Sequence, residues 1–126
     1  MLSDEATPYT HGVLATLDRT YAVVPALWSL EVANGLAIAE RRERITQQAS
    51  YSSWILHRLP IHIERLEATW LWQAIVPLAR EHRVSAHGAA YLELAKGEGM
   101  CLATLDHDLQ IACRTIGVAI LEVPWL

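Results

Sequence analysis

The sequence predicts an α/β fold built on a small, mostly parallel sheet, and two observations carry that expectation. Short β-branched and apolar runs alternate with longer helix-forming stretches along the chain, the pattern in which helices serve as crossovers between parallel strands. Carboxylates then follow two of those runs: Glu31 comes after residues 21–24 and Asp106 after residues 100–104. In open parallel sheets, ligands gather at the carboxyl ends of the strands. A chain of 126 residues fits a single domain, residues 1–126, that buries a core without covalent staples.

Tyr-Ala-Val-Val at 21–24 reads as a buried strand stopped by Pro25, and Pro25 presets the backbone for a helix over 26–42. A second helical pattern runs over 47–59 and ends at Pro60, and 61–63 is a short strand. Residues 69–83 form a helix with Trp72, Ile75, Val76 and Ala79 on one side and a kink at Pro77. Ser85 can cap a helix over 87–96, which Gly97 and Gly99 terminate. Met-Cys-Leu-Ala-Thr at 100–104 is the clearest strand. A helix over 108–116 follows, with acidic residues at its start and Gly117 as its stop, and 118–123 closes the sheet. Residues 1–20 read as helical and polar.

Composition narrows the function classes. The net charge is −4, so a polyanion would need a local basic strip or a metal ion. No apolar run reaches membrane-spanning length and no signal peptide is evident, which predicts a cytoplasmic protein with no membrane partner. Cys101 and Cys113 lack ligand-like spacing and read as reduced core residues. There is no glycine-rich nucleotide loop and no serine elbow, and the six histidines, His57 and His62 among them, share no metal-ligand spacing. Five Trp and no Phe are unusual in so short a chain. Trp28, Trp54, Trp70 and Trp72 offer more aromatic surface than a small core readily absorbs, which predicts a homodimer through the helices at 47–59 and 69–83.

The chemistry-bearing candidates are carboxylates. Glu31 is the only charge between Arg19 and Glu40, and helical spacing puts it on one face with Leu27, Leu30, Asn34 and Ile38. A carboxylate on an apolar face needs a metal ion, a proton or a basic partner; a satisfied structural glutamate is the alternative. Asp106 lies just past a strand and Asp108 two residues on, where turn and helix-cap roles compete with metal binding. Hard divalent cations such as Mg²⁺ prefer loose carboxylate clusters and keep several waters. Arg41, Arg42 and Arg44 form a basic strip at a helix end, suited to dipole compensation or to phosphate contact.

Together these segments resemble the PIN-domain ribonucleases, and in particular the VapC-type toxins of bacterial toxin–antitoxin pairs. The resemblance covers nearly the whole chain. Asp4-Glu5-Ala6 looks like the acidic loop after the family's first helix, and the run from Val24 to Asn34 resembles its motif bearing a metal-site glutamate. Ala89-Ala90-Tyr91-Leu92-Glu93-Leu94-Ala95 followed by Leu102-Ala103-Thr104-Leu105-Asp106 is similar to its carboxy-terminal signature. The resemblance implies a three-layer α/β/α sandwich and a Mg²⁺- or Mn²⁺-dependent endoribonuclease. Its catalytic residues and metal ligands would be Glu31 and Asp106, with Asp108, further along the loop, a supplementary metal ligand, and its partners RNA, a cognate antitoxin and a second copy of the chain.

Two departures fall on the active site. The family opens with a strand delivering its first aspartate, and Met1 stands where that strand would already have passed. The third acid precedes the alanine-rich helix motif, and here that run reads His87-Gly88-Ala89. The expectation is a PIN-like fold lacking its first strand, a weak metal site and impaired hydrolysis, with a catalytically inactive protein-interaction module as the alternative. Without the first strand, 21–24 and 100–104 are expected to pair directly.

Overall fold

The computed structural model describes residues 21–52 and 60–122. The calls on Asp4-Glu5-Ala6, on the second half of the 47–59 helix, on Trp54 and on His57 lie outside them. The chain divides into two compact units at Ile63 and Glu64, each described by itself.

The first unit opens with β1 (Ala22–Pro25), in which Val24 and Pro25 are buried. Helix α1 (Leu27–Arg41) and the short α2 (Gln47–Ser52) follow, and β2 (Ile61–Glu64) returns to pair with β1. The N–H of Ala22 donates to the carbonyl of Pro60 at 2.9 Å. The two strands run parallel, as strands joined by a helical crossover must. Thr46 caps α2, its hydroxyl accepting from the Ala49 N–H at 3.1 Å.

Helix α1 ends without a glycine. Glu43 sits in the left-handed region at φ 57°, and the N–H groups of Glu43 and Arg44 donate back to the carbonyls of Glu40 and Ala39 at 3.0 and 2.9 Å. This is a Schellman arrangement, which satisfies the last carbonyls of the helix. Arg41, Arg42 and Arg44 surround that end, exposed, where positive charge opposes the helix dipole.

The second unit begins with α3 (Ala68–Trp70), which passes through a π-helical turn (Leu71–Ile75) into α4 (Val76–His82). The irregularity expected at Pro77 therefore lies in the turn just before it. Val76 donates to the carbonyl of Leu71, five residues back, and Pro77 supplies no N–H, so the widened register ends there. Arg83, at φ 54°, closes α4, and the Val84 N–H reaches the Ala79 carbonyl at 3.1 Å. Helix α5 (Ala86–Glu98) starts at the Ser85 cap and runs through Gly97, ending at Gly99 in the left-handed region at φ 65°. Helix α6 (His107–Ile116) ends at Gly117, φ 84°.

Between and after these helices, the segments expected as strands make one parallel bridge, Leu102 to Ile120. Leu102 donates to Ala119 at 2.8 Å, and Leu121 donates to Leu102 at 2.9 Å. Among the described residues, the predicted strands over 100–104 and 118–123 are thus reduced to a single rung. Within its own unit each segment takes a near partner in sequence: β1 pairs with β2, and 100–104 bridges to 118–122. Each is a β-α-β crossover, and closing the shorter loop costs less chain entropy.

The core of the second unit is helical. Ile75, Ala89, Ala90, Leu92 and Cys113 are almost wholly buried, with Leu78, Ala95, Leu102, Leu109, Ala112 and Val118 around them. Alanines on α5 and α6 permit close approach of these helices, and α6 shows the cleanest amphipathic pattern: Leu109, Ala112 and Cys113 inward, Asp108, Ile111 and Thr115 outward. Cys113 matches the expected core thiol, but Cys101 is exposed; both are free. No helix among the described residues is long and apolar enough to cross a membrane.

Candidate functional site

A hydrogen-bonded cluster of candidate residues stands where the chain leaves Leu102 and enters α6. Thr104 Oγ1 accepts the N–H of Asp106 at 3.1 Å, and Asp106 Oδ1 accepts the N–H of Leu109 at 3.0 Å. Gln110 Nε2 closes the turn by donating to the Thr104 carbonyl at 3.1 Å. Asp106 is therefore the N-cap of α6, with one carboxylate oxygen satisfying a helix donor that has no intrahelical partner. Asp108 follows in the first turn, exposed, where the helix dipole favours negative charge.

The start of α5 adjoins this turn. Ser85 Oγ accepts the Gly88 N–H at 3.0 Å. A Cβ placed on Gly88 would stand 3.4 Å from Ser85 Oγ and 3.5 Å from Leu109 Cδ1, in ordinary van der Waals contact. Position 88 thus abuts the side chain of the residue whose N–H Asp106 caps. Two helix starts meet here with Asp106, His107, Asp108 and His87 all exposed, and a carboxylate at position 88 would add a third acid to the two on α6.

Glu31 belongs to the first unit, and its placement corrects the sequence reading. It is exposed, as are Leu30 and Asn34 beside it, with Leu30 at 73%. Helix α1 instead turns inward the stripe Trp28, Val32, Gly35, Leu36 and Ala39, of which Ala39 is buried. That stripe lies roughly a quarter-turn from Glu31 at 3.6 residues per turn. The apolar face was misjudged because α1 is apolar almost all round, so its periodicity selects no single side. The argument from a buried carboxylate therefore does not apply to Glu31.

Among the described residues, no group of three or more His, Cys, Asp or Glu side chains lies together so as to hold a metal ion. Asp106 and Asp108 share one turn, but an Asp106 oxygen is engaged by Leu109. By donor chemistry this pair does not fit a divalent cation on its own, since Mg²⁺ and Mn²⁺ sites draw on charge count and fixed oxygen geometry. The sequence reading missed Thr104 and Gln110, which hold the turn; a Thr two residues before a capping Asp was the available signal. No protein-family model matches the chain, and no curated protein matches it in sequence.

Proposed function

We propose that this chain is a PIN-like domain related to the endoribonuclease toxins of VapBC-type toxin–antitoxin pairs, with its RNA-hydrolysing chemistry impaired. Gly88 is the observation that carries the reading. It occupies the position at which the resembled family supplies its third acid, and it abuts Leu109 in the first turn of the helix that Asp106 caps. The β-α-β crossover from Leu102 through α6 to Ile120, with Asp106 at the carboxyl end of its first segment, supports the same reading. The three-layer α/β/α sandwich is the fold that goes with it.

On this proposal Glu31 and Asp106 are the remaining catalytic acids, and Asp108 supplements them as a metal ligand. Mg²⁺ or Mn²⁺ would be held weakly, RNA is the substrate class of any residual activity, and a cognate antitoxin and a second copy of the chain are the protein partners. The location is cytoplasmic.

Cleavage assays and metal titration test the proposal. The unmodified chain is expected to cleave RNA little or not at all with Mg²⁺ or Mn²⁺. Gly88→Asp is expected to tighten Mn²⁺ binding measured by calorimetry. Efficient metal-dependent cleavage by the unmodified chain, abolished by Glu31→Gln, would overturn the impairment. A folded Gly88→Asp variant that binds Mn²⁺ no better would overturn the assignment of position 88.

A second reading, a catalytically inactive interaction module, is favoured by Trp72, which is 71% exposed on the π-helical turn. Large exposed aromatic surface is characteristic of contact sites.

A further inference from the structure

We draw no further inference here: the strongest candidate, the exposed stripe of Leu30, Ala33 and Ala37 along α1, carries nothing because nothing in the structure shows what covers it.

Discussion

Asp106 holds α6 by one capping bond, and that bond separates a structural role from a chemical one. Asp106→Ala leaves the Leu109 N–H without its cap and is expected to cost about 1 kcal/mol, read as a lower urea midpoint at unchanged slope. Asp106→Asn keeps an oxygen in the same place and should lose only a small part of that, because Asn caps about as well as Asp. A metal role would show differently: Asn would then lose divalent-cation binding while keeping stability. Cys113 provides a pH readout. Burial pushes its thiol above the ordinary value of 9.0, with the nearby Arg114 working against the shift. A raised folded pKa means that the folded state holds the proton more tightly. The associated stability is present below the unfolded value and declines as pH rises from there through the folded value. The unmodified chain should therefore lose stability above about pH 9, and Cys113→Ala, although less stable at neutral pH, should show a shallower decline over that range. Equal slopes would refute it. At this scale the Ser85 cap, and the capping role that competed with metal binding at Asp106, were legible, because a capping oxygen works within four residues of itself. The sequence reading misplaced Glu31, because burial depends on which side of an all-apolar helix the rest of the unit covers.

Helix ends show how far local chemistry is legible. Gly99 and Gly117 both stop their helices in the left-handed region, and both were evident in the sequence because glycine takes that conformation at no steric cost. Glu43 and Arg83 do the same work at φ 57° and 54° without a visible marker. An L-residue with a Cβ pays about 1–2 kcal/mol there. Glu43→Gly is accordingly expected to stabilise the protein by about 1 kcal/mol, less what the extra freedom of glycine in the unfolded chain takes back. Thermal unfolding checks this, and a lower midpoint would mean that the Glu43 side chain makes a compensating contact. The strands were the least legible elements. The runs at 100–104 and 118–123 have strand composition, but β-propensity measures fit to a paired surface, and among the described residues these segments pair through one bridge at Leu102. Composition shows that a segment can be a strand; it does not show how many rungs its partner supplies.

For the whole molecule, the question raised by five tryptophans and no phenylalanine is where that aromatic surface goes. Trp28 and Trp70 are half-buried, and Trp72 is exposed. Among the described tryptophans, the expectation of too much aromatic surface for the core comes to rest on Trp72, at the turn where the helix widens before Pro77. Leu105 and Ile111 add exposed apolar surface within the same unit, at 59% and 47%. If a second copy of the chain covers Trp72, as the proposed homodimer requires, the residue is an interface anchor, and truncating such an anchor typically costs 2 kcal/mol or more, about a thirtyfold loss of dimer affinity. Trp72→Ser should then shift sedimentation from dimer toward monomer at micromolar concentration. Its effect on the monomer should be small, within about 0.5 kcal/mol, because an exposed side chain leaves no cavity. Ile75→Ala is the control: Ile75 is fully buried, so its truncation should destabilise the fold by about 2–5 kcal/mol. A chain that sediments as a monomer at every concentration would overturn the homodimer. A Trp72→Ser variant that stays dimeric would move the contact elsewhere on the molecule.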